Sequence, residues 1–186
     1  MKSLQDFLSD WNNPSDTIDV QSSGSTGTPK VFQMEKKRML ASAKMTCDFL
    51  QLKPGDSALL CMSLDHIGAQ MMVVRSIERD LRLIEVPATG HPLSSVSEKI
   101  DFAAMVPIQV YNSLQIAEEK EKLKGIKHLI IGGGSIDEKM EKELQQFPNS
   151  IWSTYGMTET LSHVALRKIN GKDASYWYKP FDGVRI

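Results

Sequence analysis

Short apolar segments of strand length alternate along most of this sequence with segments whose apolar residues recur at helical spacing. The predicted strands span residues 57–62, 81–86, 102–106, 127–131 and 150–153, and the main predicted helices between them span 67–79, 108–123 and 136–147. Because successive strand–helix units pair their strands in parallel, the pattern predicts an α/β fold with a layered, mostly parallel sheet flanked by helices. Residues 163–169 and 175–178, on either side of Asn170-Gly171, predict a C-terminal β-hairpin.

The remaining segments predict how the chain is divided. A short helix and a loop are predicted for residues 1–16, and one core domain is predicted for residues 17–186. Residues 39–50 add a further helix. Two Ser/Glu pairs, Ser95 with Glu98 and Ser135 with Glu138, have capping-box spacing, so a helix is predicted to begin at each.

Charge and cysteine content exclude several classes of protein. A net charge of −1 gives no general attraction to nucleic acid or to acidic membranes. Cys47 and Cys61 lie in apolar segments and predict reduced thiols in the core. No apolar stretch is long enough to span a bilayer, and the first residues lack a signal-peptide core. We therefore expect a cytoplasmic protein, and the oligomeric state, including a homo-oligomer, stays open.

A run of small polar residues lies between predicted strands at 17–21 and 31–34. It consists of Ser22, Ser23, Gly24, Ser25, Thr26, Gly27, Thr28, Pro29 and Lys30. Backbone amides freed by glycine, hydroxyl groups and a lysine together suit phosphate groups. The spacing matches neither the Walker loop nor the dinucleotide-binding fingerprint. On composition alone a flexible Gly/Ser linker is an equal alternative.

This run resembles the phosphate-binding signature of the adenylate-forming superfamily, which includes acyl- and aryl-CoA synthetases. A second segment, Tyr155-Gly156-Met157-Thr158-Glu159-Thr160, resembles the superfamily's next signature in the expected order. Taken alone, that hexapeptide would be interpreted as the end of a strand broken by glycine, with a solvated Glu. The two segments together indicate the large N-terminal domain of an adenylate-forming enzyme.

The resemblance implies a reaction in which ATP and Mg²⁺ activate a carboxylic acid, and coenzyme A then takes the acyl group. It implies that residues 22–30 hold the ATP phosphates, and that Lys30, His66, Thr158 and Glu159 are catalytic. Glu159 is the implied Mg²⁺ ligand. The implied nucleotide-binding residues outside that loop are Gly132, Gly133, Gly134, Tyr155, Gly156, Met157 and Thr158.

The candidate loops all follow predicted strands. They are residues 63–68, 87–92, 132–134 and 154–160, and we expect them to meet residues 22–30 at one edge of the sheet. Without the resemblance, His66 would be interpreted as a capping or core residue. His91 is predicted to be a loop residue and His128 structural. His163 is predicted to be a surface histidine, with contact to an acidic substrate as the alternative.

Residues 104–107, 130–134 and 155–160 resemble the subfamily of o-succinylbenzoate–CoA ligases of menaquinone synthesis, although other CoA ligases share much of this pattern. Only about twenty residues precede the phosphate loop, and the superfamily's ribose-binding Asp, hinge and C-terminal catalytic Lys have no counterpart. We therefore expect a fragment of a longer enzyme, with a reduced form as the alternative. A non-catalytic module that binds ATP or an acyl group remains the competing function.

Overall fold

A seven-stranded sheet with the strand order β4-β3-β5-β6-β7-β8-β9 forms the centre of the molecule. The structure is a computed structural model that describes residues 2–21 and 31–185. The predicted phosphate loop, residues 22–30, therefore lies outside the described residues. The strands are β3 (Ser57–Leu60), β4 (Arg82–Glu85), β5 (Phe102–Met105), β6 (His128–Ile131), β7 (Ser150–Met157), β8 (Ser162–Lys168) and β9 (Lys179–Pro180).

The first five strands of this order pair in parallel, as the sequence predicts, and β8 and β9 add antiparallel pairs at one side. The predicted α/β class is confirmed. The β3 and β5 strands are buried along their whole length. Both faces of a parallel sheet are covered by helices, which explains why these strands appear in the sequence as continuous apolar runs.

In the described part of the chain, six helices cover the two faces of the sheet. They are α1 (Leu4–Asn12), α2 (Lys36–Leu50), α3 (Ile67–Arg79), α4 (Pro107–Gln115), α5 (Ala117–Gly125) and α6 (Glu138–Leu144). The first three contribute Phe7, Met39 and Met71 to one apolar cluster, and the last three contribute to a second cluster on the opposite face. Successive strand residues point to opposite faces of a sheet, so Ala103 lies in the second cluster and Ala104 in the first.

The two strands predicted on either side of residues 22–30 are confirmed. The β1 strand (Thr17–Gln21) and the β2 strand (Val31–Glu35) pair antiparallel, with Thr17 opposite Glu35 and Gln21 opposite Val31. This register pairs Gln21 with Val31, the described residues on either side of residues 22–30. The pairing of β1 with β2 thus agrees with the prediction that residues 22–30 connect two strands.

The single helix predicted over residues 108–123 is wrong, because the chain leaves the helical conformation at Ile116. The backbone there is extended, with φ −114° and ψ 118°, and it separates α4 from α5. The buried Glu119 accepts a hydrogen bond from Ser113 Oγ at 2.9 Å across the junction. The break lets this carboxylate turn inward, which helical periodicity alone does not reveal.

Neither predicted capping box forms. A one-turn 3-10 helix occupies Pro92–Ser95 and ends where a helix was predicted to begin, while Glu98 forms an ion pair with Arg82 at 2.6 Å. The α6 helix begins two residues later than Ser135 suggested. Its N-cap is Asp137, whose carboxylate accepts from the Met140 amide at 2.8 Å.

The predicted C-terminal hairpin forms, but its second strand is β9 at Lys179–Pro180 and not residues 175–178. The β8 strand pairs with β7, which continues four residues beyond its predicted end, and residues 175–178 form no strand. The two-residue β9 pairs with the other side of β8. Within residues 2–21 and 31–185, no helix has the length and apolar character needed to cross a membrane.

Candidate functional site

The carboxyl ends of the parallel strands form the edge of the sheet where we expect a ligand site. From β3 the chain goes to its neighbour β4, and then crosses back to β5 on the other side of β3. Such a reversal leaves a crevice between the carboxyl ends of the two central strands, and α/β sheets bind ligands there. The loops after β3, β5, β6 and β7 all begin at this edge.

Gln109 connects three of the loops at this reversal. Its side-chain amide donates to the Cys61 carbonyl after β3 at 2.8 Å and to the Thr89 carbonyl after β4 at 3.0 Å. Its Oε1 accepts from the Val106 amide after β5 at 3.2 Å. Gln109 is buried, and no sequence signal singled it out. The strand ends on either side of the crevice are therefore held at a fixed separation.

The predicted glycine segment lies against the ends of both β5 and β7. The Gly132 amide donates to the Met105 carbonyl at 3.1 Å, and a Cβ at Gly132 would lie only 2.1 Å from Thr154 Oγ1. A Cβ at Gly133, where φ is +79°, would lie 3.4 Å from the Val106 side chain. Glycine is needed at position 132 because the backbone approaches Thr154 too closely for a side chain.

The segment 155–162, which we call the signature turn, leaves the sheet at the same edge. Its pairing register shifts between Tyr155 and Gly156, and a Cβ at Gly156 would lie 2.0 Å from the Ser162 carbonyl oxygen. A 3-10 turn then spans Thr158–Thr160. Thr160 Oγ1 lies 2.9 Å from the Met157 amide, from which it accepts, and 2.7 Å from the Ser162 carbonyl oxygen. The Thr160 side chain thus stabilises the turn through hydrogen bonds, a role that the sequence did not indicate.

The signature turn presents its predicted functional groups to solvent. Tyr155 is 48% exposed, and its ring centroid lies 5.8 Å from that of Tyr178. Glu159 is exposed, and the described part of the chain offers it no ion-pair partner. Thr158 is partly exposed. A flat aromatic face, a hydroxyl and an unpaired carboxylate are therefore available together on one short segment.

His66 occupies the N-cap position of α3, in the loop after β3. Its side chain is exposed, and its carbonyl accepts the first α3 hydrogen bond, from Gln70, at 3.2 Å. The neighbouring Asp65 accepts from the Lys2 amide and from Ser63 Oγ, both at 2.9 Å. These hydrogen bonds lower the pKa of Asp65 and fix the loop that carries His66.

The other histidines fulfil the predictions only in part. His163 is buried, so the prediction of a surface strand histidine is wrong: its Nε2 lies 3.0 Å from Thr46 Oγ1, and its ring packs against Phe181. Burial, reinforced by the nearby Arg75, lowers its pKa well below 6.5. His91 does lie in a loop. His128 begins β6, and its pKa is lowered mainly by burial.

Arg75 is the largest side chain of the core and was missed by the sequence analysis. It is 1% exposed in the middle of α3. One signal could have identified it, because α3 is apolar on most sides, and a cation at position 75 of such a helix has little solvent to reach. Within residues 2–21 and 31–185, no group of three or more His, Cys, Asp or Glu side chains is arranged to bind a metal.

Comparison with known proteins agrees with this geometry. A family model described as "AMP-binding enzyme" matches residues 9–185. The 2-succinylbenzoate–CoA ligase of Haemophilus influenzae is 28% identical over 151 residues, which cover 81% of this chain and 33% of that protein. The ligase of the same name from Salmonella typhimurium is 26% identical, with 81% and 32% covered. The chain therefore spans about a third of the length of these curated relatives.

Solved structures show the same fold. The acyl-CoA synthetase (AMP-forming)/AMP-acid ligase II-like protein from Dyadobacter fermentans has a TM-score of 0.90 and 34% identity, covering 96% of this chain and 51% of its own. The o-succinylbenzoate coenzyme A synthetase from Bacillus subtilis, solved with ATP and magnesium ion, has a TM-score of 0.69 and 20% identity. That match covers 88% of this chain and 35% of the other. At this identity, the second likeness supports the fold alone.

Proposed function

The chain belongs to the family of AMP-binding enzymes, and from this membership we propose that it serves the ATP-dependent activation of a carboxylic acid. A carboxylate oxygen attacks the α-phosphorus of ATP, and the α–β anhydride bond breaks. Pyrophosphate is released, and the acid becomes an acyl-adenylate. The thiol of coenzyme A then attacks the acyl carbon, loses its proton and displaces AMP. The products are a thioester, AMP and pyrophosphate.

The observation that carries this proposal is the signature turn at the edge of the sheet. It exposes Tyr155, Thr158 and Glu159 beside the glycine segment at the end of β6. In our proposal Tyr155 lies along the adenine, Thr158 donates to a phosphate oxygen, and Gly132 to Gly134 form the wall of the pocket. Positioning and charge stabilisation account for most of the rate enhancement in phosphoryl chemistry of this kind.

Glu159 suits a magnesium ion that also contacts the phosphates. Mg²⁺ in nucleotide sites is usually held by one or two carboxylates together with phosphate oxygens, and it keeps several waters. The exposed Glu159 carboxylate has no ion-pair partner among the described residues, so it is free to take that role. When bound, the ion would neutralise charge on the phosphates.

The remaining roles rest on the resemblance of the sequence to adenylate-forming enzymes. We propose that residues 22–30, with Lys30, hold the β- and γ-phosphates. His66 would contact the incoming carboxylate, and the fixed loop that carries it supports this role. For the acid itself we propose o-succinylbenzoate, because the subfamily resemblance and the curated relatives both point to it.

The test is ATP–pyrophosphate exchange by the 186-residue chain with o-succinylbenzoate, and with benzoate as the acid that lacks the succinyl group. We expect Glu159→Gln to lower exchange about 100-fold, since one charge-stabilising group contributes on this scale. Its melting temperature should stay unchanged because Glu159 is exposed. Glu121→Gln is the matched control, since Glu121 is an exposed glutamate on α5.

The outcomes separate the alternatives. Exchange with benzoate but not with o-succinylbenzoate would retain the ligase class and reject the proposed acid. A melting shift with ATP but no exchange with any acid would favour a binding module over an enzyme. A parallel loss of exchange and melting temperature in Glu159→Gln would reject the role of Glu159.

A further inference from the structure

Arg75 is a buried cation whose guanidinium, among the described residues, makes its polar contacts with the signature turn, the adjoining His163 and its own helix. Its Nη2 donates to Ser162 Oγ at 3.2 Å and lies 3.5 Å from His163 Nδ1, and its Nη1 lies 3.9 Å from Met72 Sδ. In the part of the chain that the structure describes, its Nε has no hydrogen-bond partner and no carboxylate forms an ion pair with it. Burial lowers the pKa of Arg75 to about 10, so the side chain is still charged at neutral pH.

The turn that Arg75 contacts has an unfavourable backbone. Leu161 has φ 63° and Ser162 has φ 121°, both in the left-handed region that glycine tolerates and other residues rarely adopt. Such conformations persist only where the surrounding structure enforces them, and they concentrate at functional sites. Two consecutive residues of this kind follow the 3-10 turn that carries Thr158 and Glu159.

Hydrogen bonds connect the buried cation to the turn that carries the exposed functional groups. Thr160 Oγ1 lies 2.7 Å from the Ser162 carbonyl oxygen, and the Ser162 hydroxyl accepts from Arg75. On the far side, His163 is anchored to Thr46 of α2. Burial and the proximity of Arg75 lower the pKa of His163, so the two groups are not both cationic at neutral pH.

We propose that Arg75 is a positioning residue for the signature turn. Its guanidinium holds Ser162 in the left-handed conformation and thereby fixes where Thr158 and Glu159 stand relative to the edge of the sheet. Because α3 begins at the loop of His66, the same helix sets the positions of both sides of the site. The catalytic consequence of this inference rests on the proposed function, but the structural consequence does not.

A positioning role and a simple packing role predict different effects of removing the charge. A buried cation without a counter-ion loses its hydration with little in return, so an apolar side chain of similar volume is often neutral or stabilising. We therefore expect Arg75→Met to melt at the same temperature as the wild type or higher. If Arg75 were needed only for packing, its charge would not matter, and Arg75→Met would not specifically affect the signature turn.

The experiment is amide hydrogen exchange, by mass spectrometry, of peptides that cover residues 157–163 in the full chain without ligand. In Arg75→Met we expect these amides to exchange about tenfold faster, while the strands keep their protection. Arg79→Met is the matched control, because Arg79 lies one turn later on α3 and contacts Asp48 and the Leu52 carbonyl instead. It should leave residues 157–163 unchanged.

Ser162→Ala tests whether the effect passes through the serine hydroxyl. If it does, the double variant Arg75→Met/Ser162→Ala should exchange no faster at residues 157–163 than Arg75→Met alone, since the two changes remove one interaction. Additive acceleration would overturn the proposed link. Unchanged exchange in Arg75→Met would overturn the positioning role itself, as would acceleration spread evenly over the sheet with a lower melting temperature.

Pyrophosphate exchange then distinguishes this proposal from the proposed function. In an active wild type, Arg75→Met should lower the rate of exchange about 100-fold with little change in the KM for ATP, because displacement of a catalytic group by about 1 Å has such an effect. An unchanged rate would contradict the positioning role. A wild type without pyrophosphate exchange would refute the proposed function, and the amide-exchange result would still decide the role of Arg75.

Discussion

His163 combines a titratable ring with nearly complete burial, and this combination determines how it responds to pH. Thr46 of α2, Arg75 of α3 and Phe181 surround the ring. Protonation would place a second cation beside Arg75 in a region without a carboxylate partner among the described residues. Because of burial and the nearby Arg75, the pKa of His163 is lower in the folded protein than in the unfolded chain.

This difference predicts acid sensitivity. Well above pH 6.5, the usual pKa of histidine, both states are neutral at this position and the full stability is present. As the pH falls below 6.5, the unfolded chain takes up the proton first, and the free energy of unfolding falls by up to about 1.4 kcal/mol per pH unit until the folded pKa is reached. His163→Gln should reduce the slope in urea unfolding between pH 7.5 and 5, and the slope that remains includes the contribution of His128, whose pKa burial also lowers.

The matched control is His66→Gln, because His66 is exposed and has no described side-chain hydrogen bond. The slope of unfolding free energy against pH should be the same in His66→Gln as in the wild type. An equal slope in His163→Gln and the wild type would contradict the assignment, and another titrating group would have to account for the acid sensitivity.

At the scale of elements, the junction of α4 and α5 depends on one buried carboxylate. Glu119 accepts from Ser113 Oγ at 2.9 Å, and its other oxygen lies 3.1 Å from His91 Nδ1 in the loop after β4. Three segments, α4, α5 and that loop, therefore meet at a side chain that is 4% exposed. The bend at Ile116 therefore coincides with a buried carboxylate that contacts both helices and the loop.

We expect Glu119→Ala to lower the free energy of unfolding by about 1–3 kcal/mol, because it leaves the Ser113 hydroxyl buried without an acceptor. Glu121→Ala on the same helix should change it by less than about 0.5 kcal/mol, since the ion pair with Lys124 is at the surface. Urea titration of the two variants gives the comparison. Equal effects would mean that the junction is held by apolar packing alone.

At the scale of the whole molecule, Gln109 joins the ends of β3 and β5 to the loop after β4, at the point where the strand order reverses. Its three hydrogen bonds use both donors and the acceptor of the amide. No pair of the connected segments is close in sequence. A single side chain therefore stabilises the shape of the crevice from within the core.

Gln109→Met keeps the approximate volume and removes the hydrogen bonds, so the Val106 amide and two carbonyls lose their partner. We expect the free energy of unfolding to fall by about 2 kcal/mol or more, in line with the cost of unsatisfied buried groups. Gln115→Met, on the same helix, removes only an exposed hydrogen bond to the Tyr111 carbonyl and should have little effect. Equal unfolding midpoints for the two variants would contradict the importance of this link.

The sequence predicted what local pattern determines and missed what depends on distant contacts. The α3 helix was predicted with its observed bounds, because its apolar residues and flanking loops are local signals. The roles of Arg75, Gln109 and Glu119 could not be predicted, because each depends on partners far away in the chain. The candidate site was predicted from the signature at 155–160, whereas the contacts of Arg75, Gln109 and Glu119 that support it became visible only in the fold.

The two edges of the seven-stranded sheet also affect how molecules meet one another. At one edge, β4 exposes Arg82 and Glu85. At the other, β9 is only two residues long, and its Pro180 has no amide hydrogen to offer. Charged, very short and proline-containing edges are poor templates for a strand from a neighbouring molecule. The sheet thus carries its own protection against edge-to-edge aggregation, a property that matters most at the high concentrations of a crowded cell.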